Sequence, residues 1–158
     1  MADLGPFHRA AFENAMHLLR PVAHRTPIAR CRSLSETVGC DLAMKLENLQ
    51  RVGAFKFRGA HAMIAMLKES ERSRGVITYS SGNHAQAVAL AAKLFRTSAV
   101  IVMPMDAAGV KLSATRAYGA EILQHGFTPQ ERQVFATRLA QERGLTMVPP
   151  YEDPRILL

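Results

Sequence analysis

Two short stretches hold residues whose types and spacing could do chemistry. In GAFKFRGA (residues 53–60) a single lysine, Lys56, stands between Phe55 and Phe57, with glycines on either side. A lysine kept out of water gives up its proton more readily, and the neutral amine is a nucleophile that can form a Schiff base with a carbonyl cofactor. The competing reading is a surface lysine on the first turn of a helix, its stem lying over phenylalanine. In YSSGNHAQAVALAAKL (residues 79–94) the residues Ser80, Ser81, Gly82 and Asn83 leave the end of a predicted strand and open a helix. Ligands of open parallel sheets bind at that edge. Free N–H groups and the helix dipole favour an anion there, and Gly82 lets the backbone come close. The serine hydroxyls and the Asn83 amide add directional donors, so a carboxylate suits this cradle. Serine and asparagine are also ordinary N-caps, so a plain cap reads the same spacing.

The elements that must position these residues can be read from pattern. Residues 6–22 carry Phe7, Ala11, Met16, Leu19 and Val22 near helical spacing and predict an amphipathic helix. Ser33 and Glu36 predict a capping box for a short helix stopped by Gly39. Residues 41–47 read as a strand. From Gly75 strands are predicted over 76–80, 99–104, 121–125 and 145–149, and helices over 83–95, 108–118 and 128–143, with Thr128 as a cap and Gly119 and Gly144 as stops. This alternation with short connections predicts an α/β fold, a parallel sheet with right-handed crossovers and helices on both faces.

Composition narrows the function. The apolar fraction of 48% over 158 residues supports one domain or one and part of another. No apolar run approaches the ~20 residues that span a bilayer, and the N-terminus lacks the pattern of a secretory signal. Cys31 and Cys40 match no metal or redox spacing, so free thiols in a reducing cytoplasm are expected. The net charge of +7 comes from arginines scattered along the chain, and no aromatic stacking array accompanies them. Nucleic-acid binding is therefore not expected.

Together, ENLQRVGAFKFRGA and SSGNHAQAVALAAKL resemble the fold-type II pyridoxal-phosphate enzymes, in the branch of serine/threonine dehydratases, serine racemases and 3-hydroxyaspartate dehydratases. HRTPI, VIVMP, AYGAEI and VPPYEDP are similar too, in order along the chain. The resemblance implies that Lys56 holds pyridoxal phosphate as a Schiff base, that Phe55 packs beside its ring and that Asn83 hydrogen-bonds its phenolic oxygen. Ser80, Ser81, Gly82, Asn83 and His84 would receive the carboxylate of a small amino-acid substrate. Lys56 would take the Cα proton on one face. Ser81 would be the acid or base on the other, the position at which racemases and 3-hydroxyaspartate dehydratases carry serine. The implied activity is a deaminating dehydratase of a hydroxy-amino acid such as threonine or serine. Serine racemase, 3-hydroxyaspartate dehydratase and an inactive ligand-binding fragment are the alternatives.

The resemblance also implies a partition into an N-terminal portion of the large domain (1–74), the small domain of a tryptophan-synthase-β-like fold (75–150) and the start of a return to the large domain (151–158). The family continues into a glycine-rich phosphate loop, and no such run occurs here. The expectation is a chain truncated on its C-terminal side, with apolar surface exposed where the rest would pack, and a homo-oligomer when whole. Two departures from the family pattern are Ala54, where serine is common, and Arg96, where glycine commonly closes the helix. A non-glycine residue in a left-handed cap costs about 1 kcal/mol, so that turn is expected to be strained or built differently.

Overall fold

The computed structural model describes residues 5–158; the first four, the start of the segment read as carrying no secretory signal, lie outside the described residues. Helix α1 (Arg9–Leu19) buries Ala15 and Leu19 and is shorter at both ends than the periodicity predicted. A three-residue strand not foreseen in the sequence, β1 (Ile28–Arg30), pairs antiparallel with β2 (Ala43–Lys45), Ile28 opposite Lys45. Between them lies α2 (Arg32–Val38), closed as expected by Gly39 at φ 73°. The predicted Ser33–Glu36 box does not form. Cys31 stays extended because its N–H reaches toward the Leu42 carbonyl, so the helix begins at Arg32 and Ser33 falls inside it. Glu36 pairs with Arg32 instead, 2.9 Å away. The strand predicted over 41–47 is confined to β2, since Glu47 opens a one-turn 3-10 helix.

After α3 (Lys56–Met66) and the single turn α4 (Glu69–Arg72), the alternating region appears as read, with ends moved by a few residues. It runs β3 (Val76–Tyr79), α5 (Asn83–Leu94), β4 (Ala99–Met103), α6 (Gly109–Ala117), β5 (Glu121–Gln124), α7 (Pro129–Arg143), β6 (Thr146–Met147), then α8 (Pro154–Leu157). The four-stranded sheet has the order β5-β4-β3-β6, with every pairing parallel. Every residue of β3 and β4 is buried, as central parallel strands require.

Alternate residues of these strands face opposite layers. Val76, Ile101 and Met103 meet α3 and α5 through Phe57, Met63, Val88 and Ala91. Ile77, Tyr79, Val100 and Val102 meet α7 through Ala136 and Leu139. Helices therefore cover both faces. The small side chains of α5 let it lie between the sheet and α3, with Ala85, Ala87, Ala89, Ala91 and Ala92 all buried. Helix α7 starts with the predicted Thr128 cap, to which Glu131 answers reciprocally, and stops at Gly144 with φ 67°. Arg96 does adopt the left-handed conformation, φ 54°. No helix among the described residues is long and apolar enough to cross a membrane. Large apolar side chains left exposed include Phe55, Met105, Val110, Phe127, Tyr151 and Leu157.

Candidate active site

Three segments distant in sequence set the start of α3. Gln50, buried, accepts from the His24 and Arg51 N–H groups and donates to the His24 carbonyl. The Glu47 carboxylate accepts from Thr26 at 2.6 Å and from Arg58 at 2.7 and 2.8 Å. The Arg58 contact is the main reason its carboxyl titrates below the usual range. Val52, β-branched, is held at φ 57°, a strained conformation two residues before Ala54 is buried under the turn.

Lys56 is the first residue of α3. Of its two flanking rings, Phe57 points into the core and is fully buried, whereas Phe55 is 60% exposed. Phe55 supplies one wall around the amine, and the others come from further away. Its Nζ donates to the Pro150 carbonyl at 2.5 Å and lies 5.4 Å from the Phe55 ring centre and 5.8 Å from that of Tyr151. Desolvation lowers its pKa below the ordinary lysine value. Neither the carbonyl nor the rings carry a full negative charge, so no carboxylate among these contacts offsets the desolvation of the amine.

The second half of the site leaves the carboxyl end of β3. Ser80 Oγ accepts from the Gly82 N–H at 3.3 Å, and Gly82, at φ −160° and ψ −121°, is the N-cap of α5. No side chain caps α5, so the plain-cap reading does not hold and the first-turn N–H groups are left for a ligand or water. Ser81 and Asn83 are exposed; His84 is buried. The His84 ring faces the interior, where Nε2–H donates to the Val148 carbonyl at 3.1 Å. Burial is the main cause that pushes its pKa down to about 4, and the neighbouring Lys56 charge adds to it. The neutral ring then carries its proton on Nε2 and leaves Nδ1 buried without a partner.

Lys56, Phe55 and the loop 80–84 line one cavity of about 360 Å³, together with Lys111, Pro150 and Tyr151. No acidic residue lines it. The structure thus brings every sequence-predicted site residue to one place. It adds three that sequence reasoning missed. Their signal was available: Ser80 follows β3, Lys111 follows β4 and Pro150 follows β6, so all lie beyond the same edge of one parallel sheet.

Fold and site define an α/β protein with a partly dehydrated lysine facing the uncapped amino end of a helix. The model of the family described as pyridoxal-phosphate dependent enzyme matches residues 19–158, and the chain belongs to that family. It is similar to the L-threo-3-hydroxyaspartate ammonia-lyase of Saccharomyces cerevisiae, 43% identical over 144 residues, covering 91% of this chain and 44% of that protein. It is 43% identical over 145 residues to the L-threonine ammonia-lyase of Thermotoga maritima, covering 92% of this chain and 36% of that protein. The structure of maize serine racemase superposes with a TM-score of 0.86 at 37% identity, over 92% of this chain and 44% of that one. The chain therefore spans less than half the length of these relatives. The residues present fit the aldehyde end of pyridoxal phosphate: an amine with no carboxylate partner in its contacts, lowered in pKa, opening onto a cavity with ring walls and neutral donors.

Proposed function

We propose that this chain supplies the cofactor-anchoring lysine and the carboxylate-receiving loop of a pyridoxal-phosphate-dependent ammonia-lyase acting on a small hydroxy-amino acid such as threonine or serine. The observation that carries the reading is the convergence of Lys56 and the uncapped loop 80–84 on one cavity free of acidic residues. Lys56 would hold the cofactor, Phe55 and Tyr151 would flank it and Asn83 would donate to its ring oxygen. When bound, pyridoxal phosphate supplies an electron sink for the charge that develops at Cα. Ser80, Ser81, the Gly82 backbone and the N–H groups at the start of α5 would fix the substrate carboxylate, His84 contributing its backbone while its ring braces β6. That grip orients the Cα–H bond toward Lys56 Nζ. Desolvation keeps more of that amine unprotonated near neutral pH, as a base at Cα requires. Loss of the Cα proton and the β-hydroxyl, followed by hydrolysis, yields a keto acid and ammonia.

A second reading, racemisation or 3-hydroxyaspartate dehydration, rests on Ser81, whose exposed hydroxyl lines the same cavity as Lys56 and could carry a proton there. Residues 1–74 and 151–158 would belong to one domain and 75–150 to another. The whole protein would be a cytoplasmic homo-oligomer, a setting with which the two free cysteines accord.

The test is a borohydride trap. The chain is incubated with pyridoxal phosphate, reduced and mapped by mass spectrometry. Label concentrated on Lys56 among the five lysines, and lost in Lys56→Ala, is the expected result. Label spread over several lysines, or absent, would overturn the assignment. Activity of the whole protein is read as keto acid from L-threonine and L-serine and as D-serine from L-serine, which separates the two readings.

A further inference from the structure

The cavity holds more positive charge than one reactive lysine accounts for. Lys111 is the third residue of α6, and its side chain reaches the loop after β3: a Cβ built on Gly82 would lie 3.7 Å from Lys111 Nζ. Lys111 has no ion pair or side-chain hydrogen bond among the described residues. A cation near the amino end of a helix faces the positive end of the dipole, which costs stability. Lys111 is placed that way twice, on the first turn of α6 and beside the N-cap of α5, and neither first turn carries an acid to offset it. Lys93, by contrast, occupies the favourable last turn of α5.

We propose that Lys111 is a binding residue of this site, the cation that pairs with the carboxylate of the amino-acid ligand. The inference rests on the reading of loop 80–84 as a carboxylate cradle. Every other donor in that cradle is neutral: two hydroxyls, an amide and backbone N–H groups. Without Lys111 the carboxylate is held by dipoles alone. With it, the charge penalty at the two helix ends is relieved when the ligand's carboxylate binds. A flexible four-carbon stem carrying a point charge suits this task, because Lys111 reaches across from a different strand–helix unit. Carboxylate binding therefore ties α6 to the amino end of α5, and the site discriminates a carboxylate from an amide of the same shape.

The test uses the 15N-labelled 158-residue chain titrated with propionate, with propionamide as its neutral counterpart, reading the amides of Gly82, Asn83 and His84. Propionate should shift them saturably and propionamide should not. Lys111→Met should weaken propionate about fivefold or more, the factor carried by one ionic contact in a water-exposed site. Lys111→Arg, which keeps the charge, should stay within about twofold of the parent. Unchanged propionate affinity in Lys111→Met overturns the role of Lys111 and leaves the cradle standing. No shift of these amides in the parent chain overturns the cradle, and Lys111 with it. A measurement on the parent chain guards against a misfolded variant: propionate should slow acylation of Lys111 and leave Lys68 and Lys93 unaffected. Equal rates at Lys111 with and without propionate overturn the proposal.

Discussion

Replacing Gly59 by alanine puts a sign-reversing test on the contact that closes the site. In an ordinary helix interior the change stabilises by about 1 kcal/mol. Gly59, however, lies against α8. A Cβ there would sit 2.2 Å from the Ile156 carbonyl oxygen and 3.1 Å from its carbon. Both are backbone atoms, so no rotamer change relieves the overlap, and α8 must move by about 1 Å to restore van der Waals contact. Helix α8 is a single turn held on α3 by Ile156, which is 8% exposed. Releasing it forfeits roughly 1.5–3 kcal/mol of apolar burial. The net expectation is a loss of about 0.5–2 kcal/mol in urea unfolding. The same movement carries Pro150 and Tyr151 away from Lys56, so the pH dependence of Lys56 acylation should shift toward that of an ordinary lysine. In an Ile156→Ala background, where α8 is already loosened, Gly59→Ala should cost little or stabilise. Stabilisation of the parent chain by about 1 kcal/mol, with Lys56 unchanged, would refute the packing argument.

Acid should unfold the protein through two buried histidines. Burial first, and the Arg51 charge second, push His61 down to about 4. Burial first, and the Lys56 charge as a lesser cause, do the same to His84. The unfolded chain binds these protons below about 6.5 while the folded chain does not until about 4, so stability falls as pH drops through that window, by up to roughly 3 kcal/mol per histidine. Urea midpoints from pH 7.5 to 4.5 check this, and His61→Leu should remove about half the slope; a flat profile would contradict it. Arg96→Gly should raise stability by about 1 kcal/mol by relieving the left-handed backbone at φ 54°; a fall in the unfolding midpoint would contradict the strain.

Much of the fold was legible from residues close together in the chain. Thr128 and Glu131 cap α7 reciprocally, Gly144 stops it, and Arg96 takes the left-handed conformation at the helix end where glycine is common. Each of these depends on neighbours within about four residues, where spacing and geometry are linked. The failures were at positions governed by distant partners. Strand β1 is three residues long and exists only because Ile28 to Arg30 find Ala43 to Lys45. That same pairing draws Cys31 into extended conformation and removes the cap expected at Ser33.

The candidate site divides along the same line. Its residue types were legible: a lysine able to act as a neutral nucleophile, and a serine–glycine–asparagine loop leaving a strand to enter a helix. The alternation of strands with helices also determined that a parallel sheet would present that loop at its carboxyl edge. Sequence alone did not say what else encloses Lys56: of the adjacent phenylalanines Phe55 is a wall and Phe57 turns into the core. Its carbonyl partner, Pro150, is 94 residues away and arrives because β6 pairs with β3 rather than with β5, and because Gly59 lets α8 lie against α3. Strand order is a long-range outcome of packing two apolar faces at once, so local periodicity foretells that strands exist but not which of them are neighbours.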